Sequence, residues 1–123
     1  MDQEIREALA AEFSQFFEDE ETSTECVISC GDGWTPLIHD LCTKLEALLP
    51  QPELHFSSMR EMQGTLRISA TLPTDEIANL VKETERKSEH TCEICGEPGR
   101  LHGGKNDKLM VRCNICWSNY IEA

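Results

Sequence analysis

The stretch that decides the fold is residues 92–116, CEICGEPGRLHGGKNDKLMVRCNIC. It holds two C-x-x-C pairs, Cys92/Cys95 and Cys113/Cys116, separated by seventeen residues. That spacing lies in the range in which four thiolates surround one tetrahedral ion. Each pair offers two sulfurs from one tight turn, and the residues between can fold as two short strands around the flexible centre GGKND, 103–107. The pattern predicts a zinc ribbon over residues 89–123. Four thiolates leave no coordination position for water, so one structural Zn2+ is expected and not a catalytic one. Its binding energy is folding energy, and the ribbon is not expected to fold without the ion. A thioredoxin-like redox pair needs only one C-x-x-C, set in a larger sheet. His90 and His102 flank the cysteines and read as polar neighbours, not ligands.

Working outward, residues 73–89 read as a helix opened by Pro73 and Thr74, with Asp75 and Glu76 in the first turn, where the macrodipole favours acids. Ile77, Leu80, Val81 and Thr84 line one face, and the helix is expected to fray within KETERKSE, 82–89. Further upstream, Leu54, Phe56 and Ser58 alternate with Glu53, His55 and Ser57, and Leu66, Ile68 and Ala70 alternate with Arg67 and Ser69. The short EMQG, 61–64, joins them, which predicts an antiparallel hairpin. Before that, Thr35 and Pro36 mark a helix start, with the Thr35 hydroxyl as cap. Its stripe is Leu37, Ile38, Leu41, Cys42, Leu45, Leu48 and Leu49, and Pro50 stops it. Residues 26–30 are at most a short strand. The GDGW of 31–34 reads as a turn, with Trp34 packed beside the helix start.

At the front, Ile5, Leu9, Phe13, Phe16 and Phe17 recur at helical spacing, followed by EDEETSTE, 18–25, which reads as a solvated linker. The expected fold class is therefore α+β. An acidic amphipathic helix and linker occupy 1–25, a small helical body with an antiparallel β-hairpin occupies 26–88, and the zinc ribbon follows.

Charge narrows the function. The chain carries a formal net charge of −12, and residues 1–25 hold nine acids against Arg6 alone. Such a field repels nucleic-acid phosphates and attracts basic protein surfaces. Glu12, Glu18, Asp19, Glu20 and Glu21 are the candidate contacts for a protein partner with a basic surface. Nucleic acid is the alternative: Arg100, Lys105, Lys108 and Arg112 form a basic strip on the ribbon, with Trp117 and Tyr120 near it. Glu93, Glu97 and Asp107 interrupt that strip, and the competing reading is that Leu101, Leu109, Val111, Trp117 and Ile121 pack the ribbon onto the body. No apolar run is long enough to span a bilayer, the front is acidic where an export signal is basic, and the cysteine pattern suits a reducing compartment. The expected location is the cytoplasm, with no membrane partner.

No nucleophile elbow, phosphate-cradling loop or H-E-x-x-H pair is present, so an enzyme is not expected. Cys26, Cys30, His39 and Cys42 have irregular spacing and apolar surroundings, and read as buried free cysteines more readily than as a second metal site.

GDGW at 31–34, GTLR at 64–67, CEICGEPGRL at 92–101 and CNIC at 113–116 together resemble a group of small phage and prophage proteins. The likeness covers about residues 26–118 and leaves the acidic front outside. It implies a zinc ribbon fused to a small α+β body and a phage setting, hence a host-cell cytoplasm, and it brings no activity with it.

Overall fold

The computed structural model describes residues 1–19, 24–48, 53–71 and 74–122. Helix α1 (Gln3–Glu12) starts where the Asp2 carboxylate accepts the Glu4 N–H at 2.9 Å, the usual N-cap arrangement. After Phe13 a further turn, α2 (Ser14–Phe17), continues it. Leu9, Phe13, Phe16 and Phe17 are all buried, so this acidic segment is part of the core and not an appendage.

The two ends of the linker expected at 18–25 pair with each other. Strand β1 (Glu18–Asp19) pairs antiparallel with β2 (Thr24–Glu25), Glu18 opposite Glu25. The two ends are held together from outside the acidic run, since the Cys26 N–H donates to the Phe17 carbonyl at 3.2 Å. Glu20 and Glu21 lie outside the described residues.

Strand β3 (Val27–Ser29) leads through a 3-10 turn, Asp32–Trp34, into α3 (Thr35–Glu46). The 3-10 turn feeds the helix directly and moves its start forward by one residue. Trp34 takes the cap position, Thr35 is already helical, and its hydroxyl caps nothing and has no partner among the described residues. Ile38, Leu41, Cys42 and Leu45 form the buried stripe, while Leu49 and Pro50 fall outside the described residues.

Strands β4 (Phe56–Met62) and β5 (Thr65–Ala70) form the expected hairpin. Gln63 and Gly64, at φ 52° and 83°, make the two-residue turn whose twist suits antiparallel strands. The sheet order is β3-β4-β5, with β3 parallel to β4, so α3 is the crossover of a β-α-β unit. One expectation fails here. The register slips between Phe56 and Ser58, so Met59 is buried instead of Ser58. A bulge of this kind shifts the parity of everything after it, which a uniform alternation misses.

Helix α4 (Asp75–Ser88) is capped by the Thr74 hydroxyl, which accepts the Ile77 N–H at 3.2 Å. It does not fray over 82–88. Its last turns are tied to the sheet: Ser88 Oγ accepts the Leu66 N–H at 2.9 Å and Glu85 Oε2 accepts the Ile68 N–H at 2.9 Å. Those two donors lie on the free edge of β5, so α4 seals an edge that would otherwise be open to pairing.

The C-terminal part contains β6 (Arg100–Gly103) and β7 (Leu109–Arg112), antiparallel with Arg100 opposite Arg112, followed by α5 (Asn114–Glu122). The chain is thus an α+β protein with its cysteine pairs in the C-terminal region. Among the described residues no helix is long and apolar enough to cross a membrane.

Candidate metal centre

Cys92 and Cys95 stand on a tight turn. The Cys92 N–H donates to the Glu97 carbonyl at 2.8 Å, and the Gly96 N–H donates back to the Cys92 carbonyl at 3.0 Å. Gly96 sits at φ 84°, a conformation other residues resist. Cys113 follows the last residue of β7, and Cys116 lies in the first turn of α5, where its N–H points at Cys113 Sγ from 3.4 Å. These two turns bring the four sulfurs within 4.8 Å of one another, with Cys95 Sγ and Cys113 Sγ 3.6 Å apart. For metal–sulfur bonds of about 2.3 Å, the zinc value, a regular tetrahedron has edges of about 3.8 Å. The group can therefore close around a tetrahedral ion with little movement.

The surroundings of Cys92 and Cys116 shift their protonation in opposite directions. Burial works to raise the Cys92 thiol, but backbone N–H groups of Cys113, Cys95 and Ile94 win and lower it to about 7. Cys116 is pushed up to about 12 by desolvation and by the neighbouring sulfurs. Four thiolates this close repel one another, and a bound cation relieves that conflict.

The first cysteine turn is docked onto the GDGW loop. The Gly33 N–H donates to the Glu93 carbonyl at 2.7 Å, the Gly31 N–H to Glu93 Oε2 at 3.1 Å, and the Trp34 indole N–H to the Thr91 carbonyl at 2.9 Å. Trp34 is fully buried. A Cβ on Gly33 would fall on the Cys92 carbonyl oxygen and 2.6 Å from both the Glu93 carbonyl carbon and the Gly96 nitrogen, all of them backbone. The loop therefore carries glycines because another backbone lies against it. The hairpin turn makes a second support, since a Cβ on Gly64 would meet Leu101 Cδ1 at 2.5 Å and Val111 Cγ2 at 3.6 Å.

On the other side of the ribbon, His102 stacks on Trp117 with ring centroids 4.2 Å apart, and Trp117 stacks on Tyr120 at 5.5 Å. Lys105 Nζ and the Arg112 guanidinium each lie 5.5 Å from the Tyr120 ring centre. The Tyr120 hydroxyl accepts the Lys105 N–H at 2.9 Å. These rings are engaged with one another and with two of the four candidate basic residues, so they are not laid out as free stacking platforms. Arg100 and Lys108 are exposed. The packing residues expected from sequence divide: Val111 is buried, as is Met110, whereas Leu101 and Ile121 remain exposed. Val111 lies against the hairpin turn, with its Cγ2 3.6 Å from the Cβ position of Gly64.

Cys26, Cys30, His39 and Cys42 are not assembled into a site. Among the described residues only Cys92, Cys95, Cys113 and Cys116 form a metal-ligand group. His39 turns to Glu12, Nε2 to carboxylate at 3.2 Å. Burial pushes the thiols of Cys26, Cys30 and Cys42 up to about 12, 11 and 12, so they stay protonated. Of the acidic candidates, Glu12 is exposed beside His39, and Glu18 and Asp19 form β1. The docking role of Gly31, Gly33 and Trp34 and the edge-sealing role of Glu85 and Ser88 escaped the sequence reading.

Comparison of the chain with protein-family models, with curated proteins and with solved structures found no match.

Proposed function

We propose that the protein is a binding protein without catalytic activity, in which one structural Zn2+ held by Cys92, Cys95, Cys113 and Cys116 fixes the C-terminal ribbon and an acidic surface engages a basic partner. Zinc is favoured because four thiolates in a closed tetrahedron are its common structural site. The observation that supports the acidic reading is the shortage of internal neutralisation. The chain has 23 acidic and 11 basic residues, yet the described residues form only three ion pairs, His39–Glu12, Lys44–Asp40 and Lys87–Glu83. Glu4, Glu7 and Glu12 are exposed on α1 while Leu9 anchors that helix in the core, so these acids stand on a fixed scaffold.

Exposed carboxylates carried on one anchored helix can occupy a surface that otherwise takes phosphates. The proposed partner is a nucleic-acid-handling protein, inhibited or modulated by this contact, and the phage resemblance makes a host protein the fitting choice. Deleting residues 1–25 would remove Phe13, Phe16 and Phe17 from the core, so the clean test is charge neutralisation. Purified basic DNA- and RNA-binding proteins from the host are titrated with the zinc-loaded chain and with Glu4→Gln/Glu7→Gln/Glu12→Gln. Binding should weaken steeply with salt and fall at least tenfold in the triple variant. Affinity that is flat with salt, or unchanged in the variant, contradicts the reading.

A further inference from the structure

The three-stranded sheet has an outer face whose composition differs from the rest of the molecule. Register places it: Ser29 pairs with Arg60 and Arg60 with Arg67, so these three residues run in one row across β3, β4 and β5. To one side lies the row Val27, Ser58, Ser69, and to the other the pair Met62 and Thr65. Ile28 and Met59, of opposite parity, are buried on the inner face. Arg60 and Arg67 are both exposed, and neither forms an ion pair among the described residues.

Like charges directly opposite on adjacent strands destabilise a sheet. Here the pair stands in a chain of net charge −12, and none of the three rows contains an acid. Flanking the arginines, Val27 and Met62 remain 50% and 55% exposed. Guanidinium groups bracketed by exposed apolar side chains have the composition of a protein interface, where Arg and Met are enriched. The planar guanidinium fork also matches a carboxylate bidentately.

We propose that this open sheet face is a docking surface for a protein segment that presents acidic side chains beside an apolar one. The partner's carboxylates take the guanidiniums of Arg60 and Arg67, and its apolar side chain covers Val27 or Met62. A nucleic acid fits this face less well. The net negative field opposes a polyanion, and the rings of Phe13, Phe16, Phe17, Trp34 and Phe56 are buried, so none is available here to stack on a base. The surface uses different residues and the opposite charge from the acidic face, and it stands or falls separately.

The test is an NMR titration of the full metal-loaded chain with three probes: a short synthetic peptide in which glutamates flank a leucine, the same peptide with glutamines, and single-stranded oligothymidine. The glutamate peptide should shift amides of 27–29, 58–62 and 65–69. Its affinity should fall at least tenfold in Arg60→Gln/Arg67→Gln, and the glutamine peptide should bind wild type at least tenfold more weakly. The double variant should melt no lower than wild type, because the substitution removes a repulsion. Equal binding of the two peptides, equal binding by wild type and variant, or no shifts on this face overturns the proposal. Tighter binding of oligothymidine through the same arginines assigns the face to nucleic acid and overturns it as well. A markedly lower melting temperature for the variant would make the arginines structural and counts against it.

Discussion

Gly33→Ala is the most informative single perturbation of the docking between body and metal centre. The added methyl meets the Cys92 carbonyl oxygen, the Glu93 carbonyl carbon and the Gly96 nitrogen, and none of these belongs to a flexible side chain. The loop and the cysteine turn must separate. Separation breaks the Gly33–Glu93 and Trp34–Thr91 hydrogen bonds, at 2.7 and 2.9 Å, in a largely buried setting. Each buried group left unpaired costs about 1–3 kcal/mol, so the substitution should destabilise by about 3–5 kcal/mol. For a chain of this size that is a drop in Tm of roughly 10–20 °C. The assay is thermal unfolding of metal-loaded protein, with metal release followed by a colorimetric chelator. Gly103→Ala is the control, because nothing lies within 4 Å of its Cβ position. If Gly33→Ala melts with Gly103→Ala and holds its metal equally long, the docking account is wrong.

Other expectations follow from the same contacts. Ser88→Ala leaves the buried Leu66 N–H without its acceptor and should cost about 1–3 kcal/mol in chemical denaturation; a loss below a few tenths would show that β5 does not depend on α4. The buried thiols give a pH dependence. Cys42 is raised from 9.0 to about 12, so the folded state keeps a proton that the unfolded state loses. Stability is therefore retained below pH 9 and falls as pH rises toward 12, and Cys42→Ala should flatten that alkaline decline while lowering stability at neutral pH through the cavity it leaves. A decline of unchanged steepness in the variant would contradict the assignment.

The metal ligands were legible because their information is local: two C-x-x-C turns at a suitable spacing place four sulfurs together whatever the rest of the chain does. The hairpin and the stripe of α3 were legible for the same reason, through alternation and helical spacing. The misreadings share the opposite character. The bulge at Ser57 and Ser58 is set by the register against β5, and the end of α4 by two N–H groups on that strand. GDGW read as an ordinary turn, whereas Gly31 meets Glu93, sixty-two residues further along. The outer arginine row was within reach of sequence reasoning: a two-residue turn at Gln63 and Gly64 places Arg60 opposite Arg67 by counting back from it.

The most direct measurement for the central claim is metal stoichiometry by native mass spectrometry and elemental analysis on protein purified without chelators under reducing conditions. One zinc per chain is predicted, with loss of the metal and of the folded ribbon in Cys92→Ser and Cys116→Ser. A metal-free folded chain, or zinc retained undiminished by both variants, would contradict it.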